Sequence, residues 1–89
     1  MFKNQMTENE IELLIEAGIK DASVFVHDTT GGGDHFSAIV ISDAFIGKNL
    51  IEQHKLVYAA VGDLLTNQVH ALQLKTYTPD RWKSEQSSQ

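Results

Sequence analysis

Histidine is the residue of this 89-residue chain best suited to metal chemistry, because the chain has four histidines and no cysteine. A neutral imidazole can coordinate iron or zinc through one ring nitrogen. Any metal bound through this chain must therefore use His, Asp or Glu, and a centre that needs thiolates must take them from a partner. The lack of cysteine also excludes disulfides and thiol redox chemistry.

The strongest single candidate is His70, which stands at the start of a predicted strand, where the chain emerges from a loop. A metal ligand at this position is one interpretation. The alternative is a histidine at the edge of the core, because His70 shares strand parity with Leu72 and Leu74.

Other chemistries find little support in the sequence. The triplet Gly31-Gly32-Gly33 is not followed by the Gly-Lys-Ser/Thr of a phosphate-binding loop, and no helix is predicted directly after it. The GxxG loop of nucleic-acid-binding KH domains is missing between the helical segments. No motif pairs a Ser or Thr nucleophile with a histidine, so we predict that the protein is not an enzyme.

The charge is unevenly distributed along the chain. The net charge is −5, and residues 1–43 carry eight acids and two bases, whereas residues 44–89 carry four acids and five bases. The basic residues of the second half are Lys48, Lys55, Lys75, Arg81 and Lys83. So small a set is typical of a solvated surface, and it favours weak nucleic-acid binding at best.

No apolar run approaches the roughly 18 residues that a membrane span needs, and the first residues lack the apolar core of a secretion signal. We therefore expect a soluble protein without a membrane partner. It is expected in the cytoplasm, or in an organelle stroma or matrix if the chain is a processed form.

The first predicted element is a helix. Thr7 and Glu10 fit a capping box, and apolar residues at helical spacing follow. The helix is expected over about residues 8–17, with Gly18 as its stop.

A β-hairpin is predicted next. Strands are expected at 22–28 and 36–42, joined by a turn at 29–34 that is flexible because it contains three consecutive glycines. His27 and His35 flank this turn, where strand-end polar residues are common.

A long helix is predicted after Asn49, which forms a second capping pattern with Glu52. One stripe at helical spacing is expected to bury against the sheet, and it consists of Leu50, His54, Val57, Val61 and Leu64. His54 is accordingly expected to be a hydrogen-bonded core residue. Gly62 falls inside this helix, and Asn67 is expected to end it.

The last elements are a strand at 70–77 and a short helix. Thr78 caps that helix, Pro79 occupies its first position, and Trp82 is expected to anchor it on the body. Residues 84–89 are polar and expected to fray.

The whole chain is expected to be one domain, residues 1–89 with a core of about 8–83. The predicted fold class is α+β with the order α-β-β-α(α)-β-α, in which helices cover one face of a small three-stranded mixed sheet. The helical crossover before the third strand permits parallel pairing.

Several segments of this chain resemble the BolA family. They read HFSAIVISDAFIGK from His35, QHKLVY from Gln53, VHAL from Val69 and TPDRW from Thr78. They occur in order and with compact spacing over about residues 11–82. The resemblance implies a fold like that of the type II KH domain, with two helices and a break between them where the sequence alone predicts one long helix.

The same resemblance implies a function. In the family, the histidine of VHAL, here His70, ligates a two-iron two-sulfur cluster shared with a monothiol glutaredoxin. The glutaredoxin brings a cysteine, and glutathione brings a second thiolate. A second ligand can come from the loop that His35 and His27 flank here. The implied protein is an adaptor for iron–sulfur trafficking or for iron or redox sensing, with no cluster in the isolated chain.

Two alternatives remain open at this stage. One is a nucleic-acid-binding transcriptional regulator that uses the KH-like fold through Lys48, Lys55, Lys75 and Arg81. Gln53 stands where the family commonly has an arginine, which weakens such a surface. The other is a metal-free interaction domain. Alone, the chain is expected to be a monomer or a weak homodimer.

Overall fold

A three-stranded mixed sheet organises the protein. The structure is a computed structural model that describes residues 7–33, 35–62 and 71–87. Its elements are helix α1 (Glu8–Gly18), strands β1 (Ser23–Asp28) and β2 (His35–Ile41), a short 3-10 helix (Asp43–Phe45), helix α2 (Leu50–Val61), strand β3 (Ala71–Tyr77) and helix α3 (Pro79–Ser87). The strand order is β1-β2-β3, with β1 antiparallel and β3 parallel to β2. The predicted α+β class, element order and mixed sheet are therefore confirmed.

The core lies between the sheet and the pair α1 and α2. Alternate strand residues point towards these helices, as the two-residue period of a strand requires. On β2 the residues that face the helices are Phe36, Ala38 and Val40, and each is at most 1% exposed. From the helices and the 3-10 turn come Ile11, Ile15, Phe45, Val57 and Val61. Burial of this continuous apolar layer is the main stabilisation of the fold.

Trp82 of helix α3 packs on the face of the sheet opposite to α1 and α2. The Trp82 ring stacks on Phe25 with 6.2 Å between centroids, and it lies 5.2 Å from the ring of Tyr77. Phe25 and Tyr77 alternate with the core-facing Val24 and Thr76, so they project from the opposite side. The prediction that the helices cover one face of the sheet is therefore correct for α1 and α2, whereas α3 packs its Trp82 on the opposite face.

The end of the chain is more ordered than expected. Helix α3 continues to Ser87, although residues 84–89 were predicted to fray. Thr78 caps it as predicted, because its Oγ1 accepts a hydrogen bond from the Arg81 amide. Its residues 83–87 are all exposed, and Trp82 is its half-buried anchor on the body. Residues 88 and 89 lie outside the described part.

Helix α2 buries a face that differs from the predicted stripe. Val57 and Val61 are buried as expected, but Leu50 is 60% exposed. His54 is half-buried at the helix surface, where its ring lies edge-on to Tyr58, so the prediction of a core histidine is wrong. Leu64 lies outside the described residues. With only 12 residues, α2 is the longest described helix, and none in that part of the chain is long and apolar enough to cross a membrane.

Besides Val57 and Val61, helix α2 buries the polar residue Gln53, which is 8% exposed. Its Nε2 donates to the Lys48 carbonyl at 2.8 Å, and its Oε1 accepts from the Thr76 hydroxyl at 2.6 Å. A buried amide that satisfies both of its ends in this way fixes the start of α2 against β3. Gln53 is therefore a structural residue and contributes no side chain to a nucleic-acid surface.

Two glycines have roles other than those predicted. Gly18 ends α1 without a positive φ; instead, a Cβ there would lie 2.6 Å from the Ala60 Cβ, so Gly18 lets α1 approach α2 closely. Gly62 is not inside a helix but caps α2 with φ 70°, a conformation that favours glycine. The predicted end at Asn67 lies outside the described residues.

We predict that Trp82→Ala lowers the free energy of unfolding by about 2 kcal/mol, less than the 3–5 kcal/mol of a fully buried ring, because Trp82 is only half-buried. Urea denaturation followed by far-ultraviolet circular dichroism measures this change. Trp82→Phe should retain most of the stability, and the exposed neighbour Lys83→Ala should have little effect. Equal midpoints for Trp82→Ala and the wild type would show that α3 does not stabilise the domain.

Candidate metal centre

The candidate centre lies at the end of the sheet where β2 and β3 begin. His35 is the first residue of β2, and its Cα pairs with that of Ala71, the first residue of β3. Ala71 is joined directly to His70 in the sequence. His70 itself lies outside the described residues. The parallel register therefore sets His35 beside the end of β3 to which His70 is attached.

His27 lies on the same end and face of the hairpin. It pairs with Ser37, two residues along β2 from His35. Residues in this diagonal relation are typically ~7–8 Å apart. The His27 side chain is 77% exposed, and its Nδ1 lies 3.7 Å from the Glu8 carboxylate. His35 is half-buried, with its Nδ1 buried from solvent. These two differ in burial, therefore, although both flank the same loop.

The loop between β1 and β2 is held by one carboxylate. The side chain of Asp28 accepts hydrogen bonds from three amides of the loop, those of Thr30 at 3.2 Å, Gly31 at 2.8 Å and Gly33 at 2.9 Å. Gly31 and Gly33 both have positive φ, which aims their amides inward. The loop predicted to be flexible thus has a specific internal anchor. Such a set of amides could bind an anion, but Asp28 already occupies it.

The same loop fixes the backbone of His35. The Thr29 amide donates to the His35 carbonyl at 3.0 Å, and the Thr29 hydroxyl lies 3.2 Å from the same oxygen. His35 is therefore positioned from two sides, by this turn and by its pairing with β3. An Asp at the first position of a glycine turn is the sequence signal that predicts this arrangement.

Two glutamates of α1 accept hydrogen bonds from backbone amides on the outer edge of β1. The Glu8 carboxylate accepts from the Asp28 amide at 2.8 Å, and the Glu12 carboxylate accepts from the Val26 amide at 3.4 Å. These bonds satisfy amides that an edge strand leaves without a partner strand. These two hydrogen bonds could not be predicted from the sequence. An acidic residue on the polar face of a helix has the same sequence pattern whether it is solvated or accepts a hydrogen bond from a strand edge.

The residues present do not form a complete metal site by themselves. Within 7–33, 35–62 and 71–87, no group of three or more His, Cys, Asp or Glu side chains is arranged to hold a metal ion. His35 and His27 are the described candidates at this end of the sheet. A centre here needs ligands from His70, from a partner, or from both.

The basic candidates do not form one surface. Lys48 and Arg81 line the same groove, at the opposite end of the sheet from the histidines. Lys75 lies on the outer face of β3 beside Trp82, and Lys55 is exposed on α2. Of the four residues predicted for nucleic acid, only two are thus brought together.

The chain matches a known family over most of its length. A family model described as BolA-like protein matches residues 12–81. Protein BOLA2 of Arabidopsis thaliana is 35% identical over 80 residues, which cover 88% of this chain and 85% of that protein. The DNA-binding transcriptional regulator BolA of Escherichia coli is 33% identical over 63 residues, 70% of this chain and 60% of that protein. The match thus spans less than two thirds of the bacterial relative's length.

Solved structures agree with this match. A bolA protein homologue from Coxiella burnetii superposes with a TM-score of 0.77 at 38% identity, covering 89% of this chain and 99% of that one. The BolA domain of SufE1 from Arabidopsis thaliana gives a TM-score of 0.73 at 30% identity, covering 82% and 92%. The fold is therefore shared with proteins in which the BolA-like unit stands alone and with one in which it is a domain.

We predict that Asp28→Ala loosens the loop that precedes His35. Loss of three charge-assisted hydrogen bonds at a half-exposed site should lower the free energy of unfolding by about 1–2 kcal/mol. The direct measurement is amide hydrogen exchange by NMR. The amides of Gly31 and Gly33 should exchange faster in the variant, whereas those of the core strand around Val40 should be little changed. Unchanged exchange at both glycines would contradict the role given to Asp28.

Proposed function

Because this chain belongs to the BolA-like protein family, we propose that it is an adaptor that binds a monothiol glutaredoxin and shares a two-iron two-sulfur cluster with it. The observation that carries the proposal is the parallel register of β2 and β3, which pairs His35 with the residue that follows His70. His35 thus lies at the end of the sheet where the chain enters β3 directly after His70.

The donor set of this chain fits a shared cluster better than a cluster of its own. Two-iron two-sulfur clusters are held by four ligands, which are thiolates or thiolates with histidine. This chain has no cysteine. Its described residues hold no group of three metal-binding side chains. It can therefore supply one or two imidazole nitrogens, and the thiolates come from the glutaredoxin cysteine and from glutathione.

Within this proposal, His70 is the principal ligand and His35 the favoured second one. His35 sits directly beside the start of β3, and its backbone is fixed by the Thr29 turn. His27 is one strand further away and its side chain is exposed next to Glu8, so it ranks third. Histidine ligands raise the reduction potential of such a cluster relative to thiolates. They also make its binding depend on pH, because a protonated imidazole cannot bind metal.

The biological role proposed is in iron–sulfur trafficking or in iron or redox sensing. An adaptor that contributes only one or two nitrogen ligands holds the cluster through its partner. The cluster therefore forms and leaves with the complex and does not reside in this chain. This behaviour suits delivery or sensing better than a permanent redox centre.

We predict that His70→Ala changes the visible absorption and circular dichroism of the cluster reconstituted with a monothiol glutaredoxin, iron, sulfide and glutathione. Its lifetime should shorten, whereas folding and glutaredoxin docking should persist, because the ligand is not needed for either. His70→Cys should restore cluster binding with a different spectrum. His35→Ala in the same reconstitution tests the second ligand. A wild-type spectrum and lifetime for His70→Ala would show that His70 is a core-edge histidine.

A second candidate is a regulator that binds nucleic acid directly. One relative is named a DNA-binding transcriptional regulator. Lys48 and Arg81 also share a groove in this chain. Against this stand the net charge of −5 and the separation of Lys55 and Lys75 from that groove. Few phosphates can be contacted at once, so the electrostatic contribution is small.

We predict that double-stranded DNA binds no more tightly than the ~10⁻⁴–10⁻⁶ M of non-specific binders at physiological salt. Fluorescence anisotropy at several salt concentrations measures both the affinity and the number of phosphates contacted. Lys48→Ala should weaken the residual binding, and Lys75→Ala should not. Nanomolar, sequence-selective binding would favour the regulator over the adaptor.

A further inference from the structure

The end of the sheet opposite the histidines carries a groove of distinct chemistry. It runs between the segment that leads into α2 and the first turn of α3, with Lys48 and Leu50 on one side and Thr78 and Arg81 on the other. Its floor is the end of β3, where Tyr77 lies. Gln53 fixes the wall on the α2 side, because it bonds to both the Lys48 carbonyl and Thr76. Both walls are thus attached to the core.

Three large apolar side chains near this groove are exposed to solvent. Ile46 is 63% exposed, Leu50 is 60% exposed and Ile51 is 68% exposed. They fall within six consecutive residues at the start of α2, where Leu50 lines the groove and Ile46 lines the pocket beside it. Single exposed apolar residues are ordinary, but a contiguous set next to charged residues is typical of a protein interaction surface.

The charge around the groove favours an anionic group. Lys48 and Arg81 come from opposite walls, and none of the residues that line the groove is acidic. Asp43 and Asp80 line a neighbouring pocket that shares Gly47 and Thr78 with it. The groove is therefore a local cationic site in a chain whose net charge is −5. An acidic partner is attracted here and repelled by the rest of the surface.

We propose that this groove docks a short acidic segment of a partner protein. A carboxylate of the segment binds between Lys48 and Arg81, and its apolar neighbour covers Leu50 and Ile51. A protein segment fits better than a nucleic acid, because the exposed isoleucines and leucine offer nothing to a phosphate backbone.

The position of the groove gives it a separate role. It lies beyond the carboxyl ends of β2 and β3, whereas His35 lies at the amino end of β2. Seven strand residues separate the two ends, which is ~20 Å at the usual rise per residue. If the proposed shared cluster is correct, the groove lies at the other end of the sheet from it. The groove itself does not depend on that proposal.

The test uses the isolated full-length protein without iron or sulfide, so its failure is distinct from failure of the cluster proposal. The probe is a fluorescein-labelled 12-residue peptide of alternating Glu and Leu pairs, and the matched control peptide has Gln in place of Glu. Anisotropy titrations compare the wild type with Lys48→Glu, Arg81→Glu and Lys83→Glu. Lys83 is an exposed lysine on the same helix as Arg81 and serves as the charge-matched control.

We expect saturable binding of the Glu peptide that weakens about tenfold in Lys48→Glu and in Arg81→Glu, equivalent to 1.4 kcal/mol each, but less than twofold in Lys83→Glu. The Gln peptide should bind at least tenfold more weakly than the Glu peptide. Circular dichroism checks that the variants fold. If one does not, amide shifts of the wild type decide the matter. On peptide addition, Leu50 and Arg81 should move and Ser37 should not.

Three results would overturn the proposal. The first is equal affinity for the Glu and Gln peptides. The second is equal weakening by Lys83→Glu or shifts centred away from the groove. The third is a single-stranded oligothymidylate that binds more tightly than the Glu peptide with the same dependence on Lys48 and Arg81, which would make the groove a nucleic-acid site.

Discussion

The parallel pairing of β2 with β3 is the constraint on which the rest of this structure depends. Two parallel strands cannot be joined by a tight turn, so the chain must cross over through helix, and α2 provides that crossover. A shift of one residue in this register would exchange the two faces of β3. Leu72 and Leu74 would leave the core, and His35 would no longer pair with the residue that follows His70.

Several contacts hold the crossover in that register. Gln53 ties the start of α2 to Thr76 near the end of β3. Gly18 allows α1 to pack against Ala60 near the other end of α2. Trp82 clamps the opposite face by covering Phe25 and Tyr77. The sheet is thus fixed from both sides.

The division between what could and could not be predicted from the sequence has a physical basis. Local hydrogen-bond patterns were predictable, because Thr7 with Glu10 and Asn49 with Glu52 form their capping boxes within one turn. The role of Gln53 was not, because an amide is buried only when partners from distant segments satisfy it, and Thr76 is 23 residues away. Gly18 likewise depends on the approach of a second helix.

The candidate site also has features that the sequence predicts and features that only the fold reveals. The position of His27 and His35 at either side of the loop between β1 and β2 was identified from residue type and position, and the family resemblance supplied the ligand role. The fixation of His35 by the Asp28-anchored loop required the fold, as did the sorting of the basic residues into the Lys48–Arg81 groove and two isolated lysines. A single sequence does not show which surface charges lie close together in the fold. For histidines at strand ends the grouping is easier to predict, because strand order and direction decide which strand ends meet.

The central claim is that a histidine nitrogen of this chain binds the iron of a cluster shared with a glutaredoxin. Pulsed electron paramagnetic resonance of the reduced cluster tests it most directly, with ¹⁵N-histidine incorporated into this chain alone. Our account predicts a strong ¹⁵N coupling from a directly bonded nitrogen, which decreases in His70→Ala and disappears when His35 is replaced by Ala as well. A spectrum that is the same with and without the label would contradict it, because the cluster would then be held without any histidine of this protein.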